Sequence, residues 1–325
     1  MRGKRVVVAL AVVAGLVGTA ACGSATPSPT EASGTAFPLT FSDAMGQVTI
    51  PAKPTRVAAL DTSYADDVIA LRAPLVAYTR YPGFGDALPP YLGADAKTYA
   101  ANARAVGDLD EPKIEMLAAA KPDLIVSAKV RHAQLHARLS ALAPTVFSET
   151  TGATWKDNIR LLGKALGKPE LADQKIKAYE DKAHRIGAAL KSAFGRNPTV
   201  SLVRFVAGEP TVRLYGSRSF PGTVLADVGL ARPQGQPDST SKISVDLSQE
   251  QVTTVDADYV FDATWSDPNG ESEKVRDQFL ANPLWRGLKG KIADVDDVTW
   301  ISSCSLQGAN AILDDLARTF GVTVN

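Results

Sequence analysis

The chain has 325 residues, and its 35 lysine and arginine side chains equal its 35 aspartate and glutamate side chains. That balance excludes the basic surface a nucleic-acid partner requires. A chain of this length suits one large domain or two lobes with a sizeable core, and its two cysteines are too few for a disulfide-stapled scaffold.

Residues 1–21 open with Arg2, Lys4 and Arg5, continue as an apolar run over 6–17 and end on Ala20-Ala21. This is the layout of a secretory signal. The run is shorter than the ~20 residues of a membrane span. Cys22 follows directly, and the whole resembles a bacterial lipoprotein signal. The resemblance implies that Cys22 becomes the first residue and carries the lipid; a stable anchor takes more than one acyl chain. Residues 22–36 are then a flexible tether, since 23–34 holds no large apolar side chain. With Cys22 acylated, Cys304 has no partner in the chain, and no disulfide is expected.

From residue 56, short β-branched runs alternate with helical patterns. Strands are predicted at 56–60, 75–78, 123–127 and 145–147, and helices at 66–72, 114–120 and 133–142. A second series has strands at 200–205, 212–215, 259–263 and 292–295, and helices at 223–228, 273–280 and 306–319. Such alternation indicates an α/β fold with mostly parallel sheets. One long helical stretch, 170–194, separates the two series. Ile176, Tyr179, Ala183, Ile186, Leu190 and Phe194 step along it by three and four and share a face. Gly195 fits the position past its end, and Pro198 prevents resumption. The predicted organisation is an N-terminal lobe over 37–165, a connecting helix over 166–196 and a C-terminal lobe over 197–325. These are two Rossmann-like lobes joined by one long α-helix. The alternative is a single doubly wound domain in which that helix is one more crossover.

Several short motifs recur in a fixed order. Pro54-Thr55-Arg56-Val57 opens the first strand, and Val106-Gly107 and Glu111-Pro112 precede Ile114-Glu115-Met116-Leu117. Lys121-Pro122-Asp123 leads into a strand; Ser219-Phe220-Pro221-Gly222, Asn282-Pro283-Leu284-Trp285 and the segment 309–316 follow. In this order they resemble the ferric-siderophore family of ABC-transporter substrate-binding proteins, over nearly the whole folded chain. The resemblance implies a class III periplasmic-binding-protein-like fold and no enzymatic activity. It implies a ferric siderophore in the cleft between the lobes, delivered to an ABC permease by a lipid-anchored monomer on the extracytoplasmic face. Iron would arrive inside the ligand, so no resident cofactor and no direct metal ligand is implied. One acidic residue on each lobe is thought to meet the permease in this family. The pattern places Glu111 and Asp227 there, the second where glutamate is more usual. Heme and cobalamin remain alternative ligands of the same fold. A secreted cell-envelope hydrolase is the alternative of another class, but the sequence has no Gly-x-Ser-x-Gly elbow, no His-Glu-x-x-His pair and no P-loop.

Ligands of open α/β sheets gather beyond the carboxyl ends of the strands. In the first lobe this points to Tyr78, Arg80, Arg131 and His132. In the second it points to Arg204, Phe205, Tyr215, Arg218, Trp265 and Trp300. Arginine offers a fixed fork of donors to the anionic oxygens of a ferric chelate, and aromatic rings add contact area. Arg204 stands among Leu202, Val203 and Phe205, where a charge needs a partner or an opening to water. His132 and His136 are four apart and share a helical face; His136 and His184 are read as surface residues, and Trp155 and Trp285 as core.

Overall fold

A computed structural model describes residues 36–323. It begins with an antiparallel hairpin, β1 (Leu39–Asp43) and β2 (Gly46–Ile50), that the sequence reading did not contain. Asp43 ties the hairpin to the first lobe: one carboxylate oxygen accepts from the Met45 amide at 2.7 Å, the other from the Phe147 amide at 2.8 Å.

Strands β3 (Val57–Ala59), β4 (Leu75–Tyr78), β5 (Arg104–Ala105), β6 (Leu124–Ala128) and β7 (Thr145–Ser148) build the N-terminal sheet in the order β5-β4-β3-β6-β7. Every pairing in it is parallel. A parallel sheet covered on both faces needs apolar residues without alternation, and Val57, Ala58 and Ala59 are all fully buried. The helix predicted at 133–142 is broken into Lys129–His132, a 3-10 turn Ala133–Leu135 and His136–Ser140. The interruption comes where the His132 ring turns inward to hydrogen-bond.

The C-terminal sheet has β8 (Val200–Phe205), β9 (Val212–Tyr215), β10 (Ser244–Leu247), β11 (Tyr259–Thr264) and β12 (Lys291–Val295) in the order β10-β9-β8-β11-β12. Here β8, β11 and β12 run parallel, whereas β9 is antiparallel to both its neighbours. The short link between β8 and β9 dictates this, because only an antiparallel partner is reached without a crossover. Strand alternation divides β8. Val200 and Leu202 join the core shared with the connecting helix, and Val203 and Phe205 join a separate cluster on the opposite face.

The connecting helix runs Pro169–Phe194, about 39 Å at ~1.5 Å per residue. Proline in its first turn costs no hydrogen bond, and Gly195 ends it at φ 72°. Ile176, Tyr179, Ala183, Ile186 and Leu190 are buried as expected, while Phe194 at the end is 44% exposed. This stripe packs in one cluster with Ile159 and Leu162 of the first lobe and with Val224, Val228, Ile312 and Leu316 of the second. The Trp155 ring stands edge-on to Tyr179 at 4.9 Å. A Cβ on Gly187 would lie 2.1 Å from the Val228 carbonyl oxygen, so only glycine lets the connecting helix approach helix Phe220–Val228 this closely. The two lobes therefore share a core, and the described residues form one compact unit.

Candidate ligand-binding cleft

The segment after β3 meets the segment after β12, where Thr62 contacts Ser302, and each lobe contributes one aspartate-held arginine nearby. Asp61 follows β3 and caps helix Thr62–Ala70 through the Ser63 amide at 3.0 Å. Its second oxygen accepts from Arg131 Nε at 3.3 Å. Arg131 is about one-third exposed (37%), and that contact engages one of its five N–H groups. Across the cleft, Arg204 grips Asp297 as a fork, Nε to Oδ1 at 2.5 Å and Nη2 to Oδ2 at 2.7 Å. Arg204 Nη1 reaches the Tyr215 hydroxyl at 3.4 Å, and Ser302 Oγ donates to Asp297 at 3.2 Å. Burial raises the Asp297 carboxyl and Arg204 lowers it again; burial opposes the charge of Arg204, yet Asp297 holds the guanidinium protonated. The bidentate geometry identifies an ion pair.

Ser302 links the two pairs: its carbonyl accepts from Thr62, the residue after Asp61, and its Oγ lies 3.5 Å from Arg204 Nη2. Cys304 follows Ser302 by two positions, its Sγ donating to the Ile301 carbonyl at 3.4 Å. Burial, with Asp61 adding, pushes its thiol up to about 12, while the charges of Arg131 and Arg204 both act to lower it. A thiol held neutral in this way is no nucleophile.

Beside the cleft the lobes are joined by buried polar contacts. Asp66 lies in helix Thr62–Ala70 and is fully buried. Its carboxylate accepts from Tyr81 Oη at 2.5 Å, Tyr91 Oη at 2.8 Å and, from the other lobe, Ser305 Oγ at 2.5 Å. Asp67 accepts the Leu306 amide at 3.3 Å, and its second oxygen is buried without a partner among the described residues. Both carboxylates face the start of helix Leu306–Phe320, where free amides and the helix dipole favour negative charge. Burial nevertheless raises both, Asp66 to about 7. Thr62 Oγ1 donates to the Ser302 carbonyl at 3.1 Å, and Gly83 packs against Ser266 so closely that a Cβ there would stand 2.8 Å from Ser266 Oγ.

The structure sorts the residues expected from the sequence. Arg204 reaches the Tyr215 hydroxyl, while Arg131 is held by Asp61 on the other lobe. Trp265, half-buried, follows β11 beside Ser266, and Arg218 is exposed beyond β9. Arg80 turns to the surface and pairs with Asp86 at 2.7 Å and Asp108 at 3.3 Å. Tyr78 is buried, with its hydroxyl donating to the Asp86 carbonyl at 2.5 Å. Like Tyr78, three further expected ligand contacts are core side chains instead. The fully buried His132 bridges Ser127 Oγ at 2.8 Å and the Leu109 carbonyl at 2.7 Å, and burial lowers its pKa. Phe205 lies on the face of β8 opposite Arg204, against Phe279 and Trp285. Trp300 is enclosed in the turn Val298–Ser302, 4.7 Å from Phe261, and donates Nε1–H to Asp315 at 2.8 Å. Glu111 is exposed and paired with Lys113, whereas Asp227 accepts from Tyr179 and Lys156, each at 2.9 Å. Cys22 lies outside the described residues.

The sequence reading missed Asp61, Asp66, Asp67, Asp297 and Cys304. The signal for two of them was present: Asp66 and Asp67 stand between Ala65 and Val68-Ile69 in a helix, where charges need partners. Among the described residues no group of three His, Cys, Asp or Glu could hold a metal ion, and no helix is long and apolar enough to cross a membrane.

Residues 57–290 match the protein family described as periplasmic binding protein. The probable siderophore-binding lipoprotein YfiY of Bacillus subtilis (strain 168) is 34% identical over 315 residues, 92% of this chain and 93% of its own. The achromobactin-binding periplasmic protein of Dickeya dadantii (strain 3937) is 30% identical, covering 67% of this chain and 72% of its own. The crystal structure of Staphylococcus aureus SirA complexed with staphyloferrin B superposes with a TM-score of 0.76 at 27% identity, over 88% of this chain and 99% of that one.

Proposed function

The chain belongs to the periplasmic binding protein family, and on that premise we propose that it captures a ferric siderophore between its lobes and hands it to an ABC importer. The observation that carries this reading is the pair of guanidinium groups, Arg131 on one lobe and Arg204 on the other, held in segments that the Thr62–Ser302 hydrogen bond brings together. Each is held by an aspartate, so the donors are positioned before the ligand arrives. Relatives whose names specify a siderophore or ferric citrate support the choice of ligand. Binding rather than turnover is the output.

The finer parts of the reading rest on sequence. The lipid on Cys22 holds the protein on the extracytoplasmic face of the membrane. Glu111 meets the permease from the first lobe and Asp227 from the second, and one chain carries one ligand as a monomer. Glu111 is free to do so, with 78% of its side chain exposed. Asp227 is 26% exposed and tied to Lys156, which leaves it the weaker contact.

Fluorescence tests the function directly. Trp155, Trp285 and Trp300 are buried, so quenching by a cleft ligand reports chiefly on Trp265. A panel of ferric siderophores, with hemin and cobalamin as comparisons, should yield one class that quenches and raises the melting temperature at submicromolar concentration. Response to hemin or cobalamin alone would refute the siderophore reading.

A further inference from the structure

We propose that the first lobe carries a membrane-docking face, a cluster of lysine and arginine side chains that meets anionic phospholipid headgroups and keeps the cleft turned away from the bilayer. The inference goes beyond the siderophore reading and does not depend on it. Lys53, Arg72, Lys164, Lys168 and Lys175 come from separate segments, and the fold gathers them. Lys168 Nζ donates to the Leu71 carbonyl at 2.7 Å and the Arg72 carbonyl at 2.5 Å, which seats the start of the connecting helix on the end of helix Thr62–Ala70. Burial, then the charges of Lys53 and Arg72, lower the pKa of Lys168; burial and then Arg72 lower that of Lys175. Only neighbouring charges act in this way, so these four cations stand close together. Lys164 adjoins Gly163, whose carbonyl accepts the Lys168 amide at 2.7 Å, and its Nζ lies 4.7 Å from the centre of the Phe41 ring in β1.

The charge of this cluster is unmet. Arg160 and Lys177, on the same two long helices, pair with Asp157, Asp173 and Asp181. Lys53, Arg72, Lys164, Lys168 and Lys175 form no ion pair among the described residues. Asp95, which acts on Lys175, is the one described carboxylate that bears on Lys168 or Lys175. The chain as a whole balances 35 basic against 35 acidic side chains, so attraction to an anionic surface has to be local. The position of the cluster fits a lipid surface. Lys53 precedes β3 and Arg72 precedes β4, at the amino ends of the first sheet, whereas Asp61 and Arg131 follow the carboxyl ends of β3 and β6. Leu39 pairs with Ile50 in the hairpin, so Ala36 and Lys53, each three residues beyond that pair, leave it on the same side. The chain thus enters the described fold beside the cluster. Taken as the tether its sequence implies, 23–35 spans about 20 Å and keeps this face near whatever holds Cys22. The field of a charged surface decays over ~8–10 Å in physiological salt, so docking needs contact. Each lysine or arginine in contact strengthens adsorption about fivefold.

Vesicle sedimentation tests the face. The chain from residue 22 onward, made without its signal and so without lipid, should adsorb to vesicles of phosphatidylglycerol mixed with phosphatidylcholine. It should ignore phosphatidylcholine alone and come off at about 0.5 M salt. Lys53→Gln with Lys164→Gln and Lys175→Gln should weaken adsorption about a hundredfold at an unchanged melting temperature. Lys274→Gln with Lys289→Gln and Lys291→Gln removes the same charge from the second lobe and should leave adsorption as it was. Should the first triple variant not fold, Lys53→Gln alone should cost about fivefold. No adsorption, equal adsorption to both kinds of vesicle, or equal losses in the two triple variants would overturn the face. Because no acyl chain is present, such a result leaves the anchor at Cys22 and the siderophore reading standing.

Discussion

Asp66→Ala is expected to loosen the junction between the lobes. The carboxylate accepts three hydroxyl hydrogen bonds, and among the described residues only Tyr81 has another acceptor, the Thr62 carbonyl at 3.2 Å. The variant strands the hydroxyls of Tyr91 and Ser305. Each buried orphan costs about 1–3 kcal/mol, and relief of the carboxylate's own desolvation offsets part of the sum, so the expected loss is about 2–4 kcal/mol. Urea unfolding read by tryptophan fluorescence measures it. The isosteric Asp66→Asn isolates the charge. Burial raises Asp66 from 3.8 to about 7, so the folded state binds more protons than the unfolded one. Stability from this group is full below about pH 4 and falls as pH rises to about 7, by up to about 4 kcal/mol at ~1.4 kcal/mol per unit. Asp67, raised in the same direction, shares that fall. His132 works in the opposite direction, since burial lowers its pKa; neutral in the fold, it adds stability as pH rises to ~6.5. The wild-type-minus-variant difference cancels the His132 trend; Asp67, which the Asp66 charge helps to raise, adds to the same fall. A difference that stays flat or rises between about pH 5 and about pH 8 would refute the assignment of a raised pKa to Asp66.

Arg204→Ala should weaken ligand binding and also cost about 3–5 kcal/mol of stability, because it strands the buried Asp297 carboxylate; binding loss with an unchanged urea midpoint would contradict the ion pair. Arg131→Ala should reduce affinity with little change in melting temperature, since Asp61 keeps its bonds to Ser63; unchanged affinity in calorimetry removes Arg131 from the site. Cys22→Ala should release the protein into the medium or leave its signal attached, as seen by membrane fractionation. Glu111→Ala should impair siderophore uptake in cells at normal ligand affinity. Asp227→Ala should also lower the melting temperature, because Lys156 and Tyr179 lose their partner.

Local pattern determined much of this protein. The apolar stripe from Ile176 to Leu190 marks a helix with one buried face whatever it packs against, and Gly195 ends that helix through a backbone angle other residues avoid. Strands 75–78, 200–205 and 212–215 were legible because β-branched and aromatic runs between turn residues leave few alternatives. Position relative to a strand end was legible too, which is why Arg131 and Arg204 could be named. What the sequence left open was decided by side-chain direction and by contacts between distant residues. Alternation along β8 sends Arg204 to one face and Phe205 to the other, a separation that treating them as a pair concealed. His132 and Trp300 stand at the right places in the chain, but partners more than ten residues away draw them into the core. Asp297 lies 93 positions from Arg204, and Ser305 lies 239 from Asp66. Such pairings carry no local signature, because they exist only once separately patterned segments are folded against one another.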